Sequence, residues 1–200
     1  YSIKACLESN LIDDVYVSTE DEEIANIAKK YGAIIPFIRP QEYAEDNSTD
    51  NQVLNHFFDK IDMEEVAFIR PTTPNRNPKV MDTCIDQYFT KSKEKCSGIR
   101  SMHLLPESPY KMYKLDNNGY CVGFFRDFEG EENYTNLPRQ VFPNAYHPNG
   151  YIDIIKKEMV KQANTFGNAV LPFITDFCLE VDTEHEFDML KFKMNKNFLF

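Results

Sequence analysis

Between Asp13 and Phe89 the sequence keeps alternating between short apolar runs and longer stretches whose apolar residues recur at helical spacing. DDVYVST reads as a short strand around Val15 to Ser18. The next stretch places Ile24, Ile27, Ala28 and Tyr31 at i, i+3, i+4 and i+7, the apolar face of a predicted helix. Thr19 and Glu22 form a capping-box pattern before it, and Gly32 is a natural stop after it. AIIPFI follows as a second strand, then RPQEYAEDNSTD as a polar loop, VLNHFFDKI as a helix and EVAFI as a third strand. RPTTPNRNP is a proline-stiffened loop and VMDTCIDQYF another helix. Such alternation constrains the chain to an α/β fold with a mostly parallel central sheet. Ligands of these sheets bind in the crevice at the carboxyl ends of the strands. The segments to watch are therefore STE, RPQEYAEDNS, RPTTPNR and the turn after FCLEV.

The middle third differs. SGIRSMH, KMYKL and GYCVGFF read as short strands between Ser97 and Arg126, with Asn117-Asn118-Gly119 as a hairpin turn, since Asn and Gly accept positive φ. This predicts an antiparallel insertion over residues 97–146 of one domain spanning residues 1–200. Its aromatics either meet a second copy or pack on the parent domain, and both readings stay open. GYIDII is then a strand, KKEMVKQA a short helix, FCLEV a strand and TEHEFDMLKFKM a helix, with Thr183 and Glu186 as a second capping box. YSIKACLESN reads as a helix already in progress, so the chain is expected to begin inside an element.

Composition excludes several function classes. A formal charge of −10 disfavours nucleic acid and anionic membranes as partners. No apolar run approaches the roughly 20 residues of a membrane span. No signal peptide opens the chain. The five cysteines are scattered and never spaced C-x-x-C, which fits reduced thiols in a cytoplasmic protein. The four histidines form no metal-ligand pattern, and His56, His103 and His185 read as structural. No G-x-S-x-G or H-E-x-x-H motif is present.

Three segments could carry chemistry. In CLEVDTE, Glu180 and Asp182 are two apart at a predicted strand end and can face one way. Two carboxylates there can hold a hard cation such as Mg2+, or Asp182 serves only to start a helix. RPTTPNR offers Arg70, Thr72, Thr73 and Arg76, suited to phosphate or carboxylate recognition, or else merely solvated on a stiff loop. PRQVFPNAYHPNGYIDII holds three of the eleven prolines. Pro148-Asn149-Gly150 is a β-turn pattern, and Arg139, His147 and Asn149 stand on backbone stiffened by prolines, which lowers the entropy lost on gripping a ligand. Asp153 alternates with Ile152 and Ile154, and a charge inside so apolar a run requires a partner.

Five stretches in order, DDVYVSTEDEEIANIAKKYGA, FIRPQEYAEDNSTDNQVLNHFF, FIRPTTPNR, PRQVFPNAYHPNGYIDI and LEVDTEHEF, resemble the acylneuraminate cytidylyltransferase family over nearly the whole chain. The resemblance implies a Rossmann-like three-layer α/β/α nucleotidyltransferase domain with a protruding dimerisation arm, hence a homodimer. It implies a transferase that activates a 2-keto-3-deoxy sugar acid with CTP, giving a CMP-sugar and pyrophosphate, with Mg2+ on the phosphates.

Residue by residue, Asp182 matches the family's metal-binding aspartate, with Glu180 where its first aspartate usually stands. Arg39 and the Ser48, Thr49, Asp50 backbone match the nucleotide-recognition loop, Asp50 standing where the family often has serine. Arg139, His147 and Asn149 match the sugar-acid segment, with His147 in place of an arginine, Asp153 in place of a tyrosine and Arg70 in place of a glutamine. Arg139 would act near the reacting phosphate or the acid's carboxylate. The substitutions imply an acid other than ordinary sialic acid, of legionaminic, pseudaminic or other nonulosonate type. The family's glycine- and lysine-bearing phosphate loop would precede YSIKACLESN, so the resemblance implies weak turnover by these 200 residues alone. The alternatives are a different nucleotidyltransferase of the same fold, or a non-catalytic homologue that binds a nucleotide-sugar or a partner.

Overall fold

The computed structural model describes residues 1–91 and 96–195. In chain order the helices are α1 (Ser2–Leu7), α2 (Glu22–Lys30), α3 (Asp50–Lys60), α4 (Pro78–Lys91), α5 (Lys157–Lys161) and α6 (Glu184–Asn195). The strands are β1 (Glu65–Phe68), β2 (Gly98–Leu104), β3 (Tyr113–Leu115), β4 (Cys121–Gly123), β5 (Tyr146–Lys156) and β6 (Val170–Ile174). The central sheet has the order β1-β5-β2-β6.

β5 runs antiparallel to both neighbours, and β2 pairs parallel with β6. β1, β2 and β6 therefore share one direction and β5 opposes them. This corrects the expectation of a mostly parallel ladder. The physical reason is connectivity: an antiparallel neighbour needs no crossover helix, and none separates β2 from β5. The first two expected strands meet only through the parallel bridges Tyr16↔Ile34 and Thr19↔Ile38.

Two apolar clusters make the domain three-layered. On one face α4 sets Met81, Cys84, Ile85 and Tyr88 against Ile99, Ile152 and Ile154. On the other, Leu54, Phe57 and Phe58 of α3 and Val160 of α5 pack against Ile155. The adjacent Ile154 and Ile155 thus serve opposite faces, as successive strand residues must.

Several local expectations change. The N-cap of α2 is Asp21, whose carboxylate accepts from the Ile24 amide at 2.8 Å, rather than Thr19. α2 buries Ala25 and Ala28, while Ile24, Ile27 and Tyr31 are 51%, 45% and 65% exposed, so of the expected apolar face only Ala28 is buried. FCLEV is not a strand. The outer strand is instead VLPFI, where Pro172 is tolerated because an edge strand leaves one side unpaired. Residues 98–104 belong to the central sheet, so the excursion starts after Leu104 rather than at residue 97. Its β3–β4 hairpin turns on Gly119 at φ +84°, with the Asp116 carboxylate accepting from the Asn118 and Tyr120 amides.

Candidate functional site

The site is built where RPTTPNR, HPNGY and LEVD meet. HPNGY is not a free β-turn. It lies within β5, where the ladder steps from Met102↔Pro148 to Arg100↔Asp153, so Ser101 alone opposes residues 149–152. The surplus backbone bulges, and Gly150 takes φ +59° to allow it. A Cβ there would meet Arg70 Cδ at 2.7 Å and Thr73 Oγ1 at 3.3 Å, so the loop after β1 seats directly on the bulge.

Arg76 fastens the two segments. It is 8% exposed, and its five N–H groups are all placed. Nε donates to the Tyr151 carbonyl at 2.6 Å and Nη2 to the Arg70 and Gly150 carbonyls at 2.6 and 2.7 Å. Nη1 donates to Ser2 Oγ at 2.8 Å and to the Thr73 carbonyl. Burial lowers its pKa to about 10, which leaves it charged at neutral pH. Of the two readings left open for RPTTPNR, neither describes this arginine. Thr73 adds a bond from its hydroxyl to the Asn149 carbonyl at 2.9 Å. The Val181 amide donates to the Thr72 carbonyl at 2.7 Å, bringing Glu180 and Asp182 to the same loop.

Asn149 is fully buried and internally committed. Its Oδ1 accepts from the Tyr151 amide at 3.2 Å, and its Nδ2 faces Thr175 Oγ1 at 2.7 Å, His103 Nδ1 at 3.4 Å and Cys178 Sγ at 3.5 Å. His147 is exposed beside it, its ring 5.5 Å from that of His103. Asp153 is 1% exposed, and its carboxylate accepts from the Ser101 amide at 3.0 Å. Burial pushes its pKa up, against the pull of that amide and of the Arg100 and Arg70 charges. Its partner is thus the backbone of β2 opposite the bulge. Arg139 is exposed in a short 3-10 turn, and no bond to its guanidinium is seen among the described residues.

The residues expected at the nucleotide sit on the far side of Arg70. Thr49 is not in a loop. It is the N-cap of α3, in a capping box with Gln52. Ser48 Oγ accepts from the Glu45 amide at 2.9 Å and donates to the Glu42 carbonyl at 3.3 Å, which shapes the preceding turn. Asp50, in the first turn of α3, accepts from Arg70 Nη2 at 2.6 Å, joining the expected nucleotide set to the expected sugar-acid set. Arg39 pairs with Glu20 at 2.6 Å, and its buried Nε has no partner among the described residues. A bond accepted from its own backbone amide, then the bond from Arg39, hold the Glu20 carboxyl below its usual range.

Asp182 is exposed and Glu180 half-buried just before α6, where Glu186 accepts from the Asp182 and Thr183 amides at 2.9 Å each. The Asp182 carboxylate is therefore not the cap. As a donor set the pair suits Mg2+, which takes one or two carboxylates and completes its shell with water and phosphate. No cluster of three or more metal-ligating side chains occurs among the described residues. Sequence reasoning missed the roles of Arg76 and His103; the only signal for either was proximity in the fold.

The chain matches the family model described as "Cytidylyltransferase" over residues 1–197. It is similar to the N-acylneuraminate cytidylyltransferase of Escherichia coli O18:K1:H7, 28% identical over 195 residues, covering 94% of this chain and 44% of that protein. It is similar to the CMP-N,N'-diacetyllegionaminic acid synthase of Legionella pneumophila, 26% identical over 136 residues, covering 64% of this chain and 57% of that one. The chain thus spans about half the length of these curated relatives. In fold it is similar to a CMP:2-keto-3-deoxy-manno-octonic acid synthetase solved with CTP, with a TM-score of 0.67 and 14% identity over 98% of this chain and 86% of that one.

Proposed function

The chain belongs to the cytidylyltransferase family, and from that premise we propose that it serves to couple CTP to a nonulosonate-type 2-keto-3-deoxy sugar acid. The anomeric oxygen bonds to the α-phosphorus as the bond to pyrophosphate breaks, the hydroxyl proton passes to solvent, and a CMP-sugar forms. The observation that carries this reading is the junction at Arg70 and Asp50. It sets the segments matching nucleotide recognition against those matching sugar-acid recognition, within one hydrogen bond of each other.

Arg39 is the nucleotide-facing donor, because a buried N–H without a partner is costly and a ligand acceptor relieves it. The Ser48, Thr49 and Asp50 backbone orients the base beside it. Arg139, exposed and with no bond to its guanidinium among the described residues, meets the acid's carboxylate or the α-phosphate. Arg70 and His147 line the acid pocket, while Asn149 and Asp153 hold its bulged floor. Glu180 and Asp182 would hold Mg2+, which when bound neutralises charge on the phosphates. The working form is a homodimer in the cytoplasm. That reading is supported by Tyr113, Leu115, Tyr120 and Phe124 of the hairpin, 52%, 69%, 70% and 54% exposed.

Pyrophosphate release by the full-length protein, with CTP, Mg2+ and a panel of N-acetylneuraminic, legionaminic, pseudaminic and 3-deoxy-manno-octulosonic acids, tests the reading. Release with CTP and one acid is expected, with Arg139→Ala raising that acid's KM or lowering turnover. Release with a different nucleotide, or with none of these acids, would move the assignment to another nucleotidyltransferase or to a binding role. Sedimentation of the same sample reports the dimer, and a monomer at micromolar concentration would exclude it.

A further inference from the structure

His103 is 6% exposed on β2, directly across the ladder from His147. Its neighbours determine how it is protonated. The Thr175 hydroxyl donates to the Asp176 carbonyl at 2.8 Å, so towards Asn149 it can only accept. The Tyr151 amide can only donate, so the Asn149 atom facing it must be the carbonyl oxygen. Both ends orient the Asn149 amide the same way, and its NH2 points at His103 Nδ1, 3.4 Å away. A proton on Nδ1 would set two donors face to face. Turning the amide to avoid that would break the bonds to Tyr151 and Thr175 together.

We propose that His103 is a positioning residue: as the Nε2–H tautomer, its bare Nδ1 fixes the Asn149 amide and thereby the bulged backbone that follows His147 and Pro148. Only the identity of the ligand beside the bulge rests on the cytidylyltransferase reading above. The surroundings favour a neutral ring. Burial lowers the His103 pKa, His147 on β5 adds to that, and Glu180 on the segment after β6 opposes it. The Cys178 thiol on that segment faces the same amide, and its own pKa is raised by burial. The Phe177 ring closes the remaining side edge-on at 5.1 Å.

Long-range 1H–15N correlation spectra of the labelled full-length protein at near-neutral pH read the tautomer directly. An unprotonated Nδ1 with protonated Nε2 is expected; Nδ1–H, or a doubly protonated ring, would overturn the proposal. Two variants separate positioning from simple packing. His103→Asn keeps an acceptor where Nδ1 stands, and His103→Leu removes it. With the panel acids as probes, His103→Leu should raise the acid's KM about tenfold, the equivalent of one buried hydrogen bond, with KM for CTP and kcat within about twofold. His103→Asn should restore most of that loss. An unchanged KM in His103→Leu, or an Asn variant as impaired as the Leu variant, would refute the role. If His103→Leu does not fold, the Asn variant and the spectrum decide. The spectrum also decides if no acid turns over, a result that would count against the proposed reaction and not against His103.

Discussion

Replacing Arg76 by lysine keeps the buried charge but removes the fork that ties the loop after β1 to the bulge of β5. Arginine places five N–H donors on the Tyr151, Arg70, Gly150 and Thr73 carbonyls and on Ser2 Oγ. A lysine ammonium has three donors, so at least two of these acceptors go without. At about 1 kcal/mol per net hydrogen bond, Arg76→Lys should cost about 2 kcal/mol. Arg76→Ala loses every bond and the stem's packing, and should cost about 4 kcal/mol, the scale of breaking a buried polar network. No compensating ion pair to Arg76 is seen among the described residues; its charge is stabilised by the four carbonyl dipoles, the Ser2 hydroxyl and the face of the Tyr151 ring, 5.8 Å away. Urea unfolding reads both variants. With a slope of about 2 kcal/mol per molar, the midpoint should fall by about 1 M for lysine and about 2 M for alanine. An alanine variant with a midpoint within about 0.3 M of wild type would refute the reasoning, because it would mean that water replaces these bonds at little cost.

Asp50 and Arg70 are 42% and 26% exposed in their side chains, so their ion pair should be worth only about 0.5–1 kcal/mol. A double-mutant cycle of Asp50→Asn and Arg70→Gln measures it, and zero coupling would mean the pair does not tie α3 to the loop. Gly150→Ala puts a Cβ 2.7 Å from Arg70 Cδ on left-handed backbone, and should cost about 2 kcal/mol in thermal unfolding. An unchanged Tm would show that the bulge relaxes freely. His56 and His103 both sit below the ordinary histidine value of 6.5, burial being the larger cause in each. Below that value the unfolded chain binds protons that the folded chain refuses. Their contribution is therefore intact above about pH 6.5 and lost as pH falls through the folded values. Urea midpoints should drop between about pH 7.5 and 5.5, less so in His56→Asn/His103→Asn, and a midpoint rising on acidification would contradict the assignment.

Residues whose role depends on near neighbours were legible in the sequence. Thr183 and Glu186 cap α6 as their spacing requires, and the apolar period of VMDTCIDQYF is the buried face of α4. The strand–helix alternation identified an α/β domain, and five motifs in order identified its family. Misreadings arose where a local pattern had two outcomes. Pro148-Asn149-Gly150 fits a turn as well as a strand bulge, and only pairing with β2 decides between them. The apolar period of α2 predicted a buried face of Ile24, Ile27, Ala28 and Tyr31, yet of these only Ala28 is buried, beside Ala25.

Sequence alone determined which segments become helix, which carry polar chemistry and which family the chain resembles, because capping, periodicity and proline stiffness act over a few residues. Tertiary structure alone decided what those polar groups are free to do. Arg76 reads as one more loop arginine until five acceptors surround it, two from its own loop and three more than 70 positions away. His103 reads as a core histidine until Asn149, 46 positions away, turns its amide towards it. A side chain's partners come from distant parts of the chain, and whether it serves a ligand or the scaffold depends on how many of its donors those partners already occupy.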